Sequence, residues 1–235
     1  MTGFISTTRD VGVIIVAGGS GSRVGGGELK QFRWVAGKPM LLHSVQTFMA
    51  RPDVGMVVCV LPQRYAGDPP PWLFQCDVDR LLVSVGGRTR SESVANGLDD
   101  LPDEAEIVLV HDAARPLVDA ATIERVVASV RDGHCTSAAL PVVDTLKEVN
   151  DAGEIIRTVS RDGLWRAQTP QGFRRQLLVD VHRKASAERI ASTDDAALCE
   201  RLGISVRVVR GSERNLKVTE EIDFARVDAM FGVQE

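Results

Sequence analysis

Val11-Gly12-Val13-Ile14-Ile15-Val16-Ala17 is an unbroken apolar run of strand length. A strand with one wet face alternates apolar and polar residues. A continuous run suits a strand covered on both faces, as in a parallel sheet. Similar runs recur at 56–61, 81–85, 107–110, 136–140 and 206–209. Helical patterns lie between most of them. After Pro39, tolerated in a first helical turn, Leu41, Val45 and Phe48 share one face. Asp119 can cap a helix in which Ile123, Val126, Val127 and Val130 follow the i, i+3, i+4, i+7 rule. Thr193 followed by Asp194 and Asp195 reads as an N-cap with acidic first-turn residues, and Thr219 followed by Glu220 and Glu221 reads the same way. Strand and helix alternate, so the expected class is α/β with a mostly parallel sheet.

The 235 residues suffice for one sizeable core and fall short of two ordinary domains. With 44% hydrophobic and 26% charged residues, the composition is that of a soluble globular protein. Arg and Lys total 28 against 32 Asp and Glu, a net charge of −4. That balance disfavours a nucleic-acid partner, which usually calls for a basic excess. No run reaches the roughly 18 apolar residues of a membrane span, and residues 1–10 lack the apolar stretch of a signal peptide. Cys59, Cys76, Cys135 and Cys199 form no CxxC pair. They read as unpaired thiols of a cytoplasmic protein, ahead of zinc ligands or disulfides.

A glycine-rich loop, Gly18-Gly19-Ser20-Gly21-Ser22-Arg23-Val24-Gly25-Gly26-Gly27-Glu28-Leu29-Lys30, follows the first strand. In a parallel sheet it would lie at the carboxyl edge, where ligands bind. Glycines let backbone N–H groups approach phosphate oxygens closely. As a dinucleotide fingerprint it supplies two of three glycines, and Cys59-Val60-Leu61-Pro62 stand where an acidic residue is required. As a P-loop it fails, because Gly37-Lys38 is followed by Pro39 and no glycine stands five residues earlier. As a nucleotidyltransferase loop it places Arg23 and Lys30 to clamp a triphosphate. Taken alone, it could equally be a surface loop with two solvated cations.

Residues 143–149 and 154–159 are strand-like runs joined by Asn150-Asp151-Ala152-Gly153, a hairpin signal. Few of these residues are strongly apolar, and an isolated hairpin is marginal in water. It is expected to be an arm, within residues 141–162, that packs on its own domain or on a second subunit.

Further motifs resolve the loop. In order they are AGGSGSR with LKQF, GKPML, GGRTRSESVANGL, VHDAARP, PVVDTLK, SRDGLWRAQTPQGF, TDDA and NLKVT. Through them the chain resembles the 2-C-methyl-D-erythritol 4-phosphate cytidylyltransferases of the non-mevalonate isoprenoid pathway, from Val13 to about Met230. It departs from the family pattern at Gly18, Leu29 and Arg88, where the second alanine of an AAG opening, a proline and often an acid are usual. The resemblance implies one nucleotidyltransferase domain over 1–235. Its fold would be a three-layer, Rossmann-like, mostly parallel sheet with helices on both faces and a protruding β-hairpin arm. The nearest rival is a cytidylyltransferase for another polyol phosphate, such as ribitol 5-phosphate, which shares the loop.

By the same resemblance the substrate phosphate attacks the α-phosphorus of CTP in line and pyrophosphate leaves. Arg23 and Lys30 would bind the triphosphate and stabilise the pentacoordinate phosphorus, with Lys217 as a third catalytic cation. Backbone groups of Ala17, Gly18 and Gly19 would meet the nucleotide, and Gly86, Gly87 and Ser93 would read the cytosine. Ser93 could also be an ordinary early-helix serine. Asp112, beside Ala113, would hold Mg²⁺ directly or through water, or touch the ribose or second substrate; alternatively it is a turn aspartate. His111 is expected to be structural. Methylerythritol phosphate would be met by Arg115, Thr169 and Lys217 of one subunit and by Thr145 and Arg161 of its neighbour. A homodimer with exchanged arms, Mg²⁺ as cofactor and no membrane or nucleic-acid partner complete the expectation.

Overall fold

The structure, a computed structural model, describes residues 8–18 and 29–232. Gly19 and Arg23 lie outside the described residues. The elements run β1 (Val11–Val16), β2 (Trp34–Val35), β3 (Lys38–Pro39), α1 (Met40–Met49), β4 (Val54–Leu61), α2 (Gln63–Ala66), β5 (Leu81–Val85), α3 (Arg90–Asp100), β6 (Ile107–Asp112), α4 (Ala120–Arg131), β7 (Cys135–Pro141), β8 (Leu146–Val149), β9 (Ile155–Val159), β10 (Trp165–Arg174), α5 (Arg175–Ala187), α6 (Asp195–Arg201), β11 (Val206–Arg210) and α7 (Glu221–Gly232). Short 3-10 turns, among them Lys30–Phe32, join some of these.

Seven strands form one sheet in the order β11-β7-β10-β6-β1-β4-β5. All neighbours are parallel except β10, which runs antiparallel between β6 and β7. The apolar runs are buried on both sides because successive residues point to opposite faces. Val11, Val13 and Ile15 meet Leu41, Val45 and Phe48 of α1 and Ile123, Val126 and Val130 of α4. Ile14, Val58 and Val60 meet Val94 and Leu98 of α3, Leu178 and Val181 of α5 and Leu198 of α6. Each such side chain contributes about 2 kcal/mol on burial. Gly12 is required by close packing, since a Cβ there would stand 2.7 Å from a Leu101 methyl. A third cluster, Val35, Met40, Leu117, Val218, Phe224 and Val227, seats α7.

The chain leaves β1 first toward β4 and β5, then returns to β1's other side as β6. The strand order therefore reverses between β1 and β6, the position where open α/β sheets bind ligands. Ala17 and Gly18 follow β1, and Asp112 ends β6 directly opposite Val16.

The hairpin forms as expected. Leu146 pairs with Val159, Lys147 with Thr158 and Glu148 with Arg157. It forms a separate two-stranded sheet. Ile155 is 62% exposed, and Val143, Val149 and Ile156 are likewise uncovered.

Two local features depart from expectation. Asp194, not Thr193, caps α6, its carboxylate accepting from the Ala197 N–H at 2.9 Å. Asp195 stands in the first turn as expected, and there it is fully buried. At α7 the Asp223 carboxylate accepts from the Thr219 and Glu220 N–H groups, so the capping group comes from inside the helix.

Candidate active site

Asp112 is the hub of the carboxyl edge. Its Oδ2 accepts from Lys217 Nζ at 2.7 Å and its Oδ1 from Arg90 Nε at 3.3 Å. Its backbone N–H donates to Thr169 Oγ1 at 3.0 Å. Burial alone would push the Asp112 carboxyl up. Arg90, Lys217 and Arg115 outweigh that and hold it well below the usual carboxylate range. The group is an anion throughout the physiological range.

Arg115 follows within a tight turn, its N–H bonded to the Asp112 carbonyl. Its guanidinium donates to the Asn215 carbonyl at 2.8 Å and the Ala167 carbonyl at 3.3 Å, leaving a buried Nε–H without a partner among the described residues. Burial draws its pKa down, against the attraction of Asp112. Asn215 in turn donates to the Thr169 carbonyl at 2.7 Å. The NLKVT segment is thereby fastened to the middle of β10, with Lys217 beside Asp112. Lys30 reaches the same segment, its Nζ 2.8 Å from the Val218 carbonyl. Lys30, Asp112, Arg115, Thr169 and Lys217 are thus brought together from four separate stretches of chain.

His111 sits behind this cluster, fully buried. Its Nδ1 faces Thr169 Oγ1 at 3.0 Å and its Nε2 the Arg115 carbonyl at 3.1 Å. Its ring stands edge-on to Phe48. Burial, partly offset by Asp112, pushes its pKa down to about 4, so the ring is neutral and structural, as expected.

The second group of expected residues lies next to the first. Gly18 and Gly86 face each other across the ends of β1 and β5: a Cβ on Gly86 would meet Gly18 Cα at 3.3 Å and the Leu61 carbonyl at 3.1 Å. A Cβ on Gly87 would collide with Glu92 at 2.3 Å. Ser93 accepts from the Gly87 N–H at 3.1 Å and donates to the Thr89 carbonyl at 2.9 Å, so its hydroxyl shapes this glycine turn. Ala17 offers its carbonyl to Gln31 Nε2 at 2.5 Å, and the Ala113 N–H binds the Val16 carbonyl. These contacts set glycine backbone and the Asp112 turn side by side at the β1–β6 switch point.

Thr145 and Arg161 sit apart, at the exposed base of the arm, with the Arg161 guanidinium on the Val143 carbonyl. No hydrogen bond or ion pair among the described residues joins them to Asp112 within one chain. Among the described residues there is also no cluster of three or more His, Cys, Asp or Glu side chains able to hold a metal.

Three residues of the cluster carried no assigned role in the sequence: Arg90, Asp195 and His182. Arg90 NH1 donates to Asp195 Oδ2 at 2.7 Å, and Asp195 Oδ1 pairs with His182 Nε2 at 2.9 Å. Arg90 and Asp195 stood inside the GGRTRSE and TDDA motifs; His182 had no signal.

The sequence profile of the family described as IspD, 2-C-methyl-D-erythritol 4-phosphate cytidylyltransferase, matches residues 11–233. The chain belongs to this family. It is 45% identical to the 2-C-methyl-D-erythritol 4-phosphate cytidylyltransferase of Salinibacter ruber, over 93% of this chain and 92% of that one. It is 39% identical to a bifunctional IspD/IspF enzyme of Desulfotalea psychrophila, over 90% of this chain but 54% of that protein, so it spans about half of the fused enzyme. The crystal structure of the Thermus thermophilus cytidylyltransferase superposes with a TM-score of 0.81 at 31% identity, covering 95% of this chain and 100% of the other. The chain is therefore a nucleotidyltransferase of the cytidylyltransferase class, in the expected three-layer fold. The ribitol phosphate rival is not favoured by these likenesses. No helix among the described residues is long and apolar enough to cross a membrane.

Proposed function

We propose that the chain transfers CMP from CTP to 2-C-methyl-D-erythritol 4-phosphate, releasing pyrophosphate. The observation that carries this reading is the gathering of Arg90, Arg115 and Lys217 around one ionised carboxylate, with Lys30 bonded to the next residue of the Lys217 segment and glycine backbone alongside. Two anionic reactants repel each other, so catalysis rests on positioning and charge stabilisation. The attacking phosphate oxygen is already ionised, and no general base is needed. Neutral His111 is consistent with that.

In this reading Arg23 and Lys30 hold the triphosphate, and Lys30, a compact charge, meets the α-phosphate as it becomes pentacoordinate. Ala17, Gly18, Gly19, Gly86, Gly87 and Ala113 line the nucleotide with backbone, and Ser93 fixes their turn. Arg115, Thr169 and Lys217 take the methylerythritol phosphate. Mg²⁺ keeps several waters and is held by one or two carboxylates together with substrate phosphates. A carboxylate flanked by cations fits an ion that arrives with CTP, and Asp112 would hold it directly or through water. Such an ion neutralises phosphate charge between the reactants.

The arm supports a homodimer. It has no core of its own and exposes Val143, Val149, Ile155 and Ile156. A second copy covering it would carry Thr145 and Arg161 to the neighbour's phosphate site. The four unpaired cysteines accord with a cytoplasmic setting.

The test is pyrophosphate release across the four ribonucleoside triphosphates and a panel of polyol phosphates. CTP with methylerythritol phosphate is expected to exceed every other pair, and excess chelator to abolish release. Faster turnover of ribitol 5-phosphate, or full activity in chelator, would overturn the substrate or the metal assignment respectively.

A further inference from the structure

Asp112 has two cationic partners of different character. Lys217 is 45% exposed on a flexible stem and makes one ion pair among the described residues. Arg90 is 24% exposed and its planar fork spans two carboxylates, Asp112 through Nε and Asp195 through NH1. Asp195 is 1% exposed at its side chain. Its other oxygen is taken by His182 Nε2, and His182 Nδ1 lies 3.3 Å from the hydroxyl of Ser91, the residue next to Arg90. Arg90, Asp195, His182 and Ser91 thus close a ring across α3, α6 and α5. Gln171 of β10 completes the anchorage: its Oε1 accepts from the Asp195 and Ala196 N–H groups, and its Nε2 donates to Asp194.

A buried carboxylate is costly unless its partners are well placed, and a tie between helices alone could be made with apolar side chains. This ring instead delivers one guanidinium edge to the site carboxylate. We propose that Asp195, steadied by His182, is a positioning residue that pins Arg90 on Asp112, so that the carboxylate keeps one fixed cation when Lys217 turns to substrate phosphate. The inference rests on the reading of Asp112 and Lys217 as site residues. It gives the two cations separate tasks, one mobile toward substrate and one stationary. Burial opposes the charge on Arg90, yet Asp195 and Asp112 together raise its pKa, so the stationary partner stays charged.

A double-mutant cycle of Asp195→Asn and Arg90→Gln tests it, read as kcat/KM for methylerythritol phosphate at saturating CTP. If Asp195 acts through Arg90, each single change lowers kcat/KM by about ten-fold or more, and the double variant is within about two-fold of Arg90→Gln alone. CTP affinity of Asp195→Asn, measured by calorimetry, stays near that of the unaltered protein. Losses that multiply in the double variant, or an Asp195→Asn protein with normal kcat/KM, would overturn the proposal. Should the Asp195 variants fold poorly, His182→Leu probes the ring one step out. It is expected to lose several-fold in kcat/KM, with His182→Gln, which keeps a donor in place of Nε2, restoring most of it. Equal behaviour of the two His182 variants would count against the ring. Full activity of Lys217→Ala would instead strike the underlying site assignment, and so separates the two failures.

Discussion

Replacing His111 by glutamine should flatten the loss of stability on mild acidification. The unfolded chain titrates this imidazole near 6.5, whereas in the fold it is held to about 4, chiefly by burial, with Asp112 partly offsetting. The folded pKa is depressed, so the contribution is neutral above 6.5 and becomes destabilising as pH falls, because only the unfolded chain takes up the proton. By pH 4.5 the loss reaches about 2.5 kcal/mol, and it levels off near 3.4 kcal/mol once the folded ring also protonates. Glutamine can keep a bond to the Arg115 carbonyl and cannot titrate. It should cost about 1 kcal/mol at pH 7 through the weakened bond to Thr169. The assay is urea unfolding of both proteins at steps between pH 7 and 4.5, with the difference between their curves isolating His111 from His43, whose pKa burial also lowers. The unaltered protein should fall toward the variant and cross below it. Parallel curves over the whole range would refute the claim that this ring is held neutral by its surroundings.

Other expected outcomes concern the cleft. Lys30→Ala should reduce kcat by about 10² or more while costing about 1 kcal/mol of stability, since it removes a charge poised at the site and one bond to the Val218 carbonyl. Near-normal CMP transfer would remove Lys30 from the mechanism. Gly86→Ala should weaken CTP binding and lower stability by about 1–3 kcal/mol, because its methyl would press on the Leu61 carbonyl and Gly18. Calorimetric CTP affinity and a melting temperature both unchanged would show that the close approach of the two loops is not needed.

Most of the sheet was legible because its strands are apolar on both faces. The run at 81–85 coincides with β5, and those at 56–61 and 206–209 fall short only at strand ends. β10 was not legible. Trp165–Arg174 carries charge, three polar side chains and Pro170, a residue that argues against a central strand. The fold accommodates it by breaking register between Ala167 and Gln171. Gln168, Thr169 and Gln171 are buried there and serve Asn215, His111 and α6, not an apolar core. Of the site, Gly18, Gly86 and Ser93 lie against one another, as do Asp112, Arg115, Thr169 and Lys217, each group drawn from motifs that stand far apart in the sequence. The Arg90–Asp195–His182 chain escaped because its partners lie 13 to 105 residues apart. Nothing in local periodicity distinguishes a buried Asp195 from a helix-terminal surface acid.

The proposal that two copies share a phosphate site is tested most directly by complementation. Lys217→Ala and Arg161→Ala proteins, each inactive alone, are mixed one to one, allowed to exchange subunits, and assayed for pyrophosphate release. In a mixed dimer one site receives Lys217 from one copy and Arg161 from the other, so recovery to roughly one quarter of the unaltered specific activity is expected. A mixture that exchanges subunits yet stays as inactive as its parents would contradict the convergence of cations from two copies on one site.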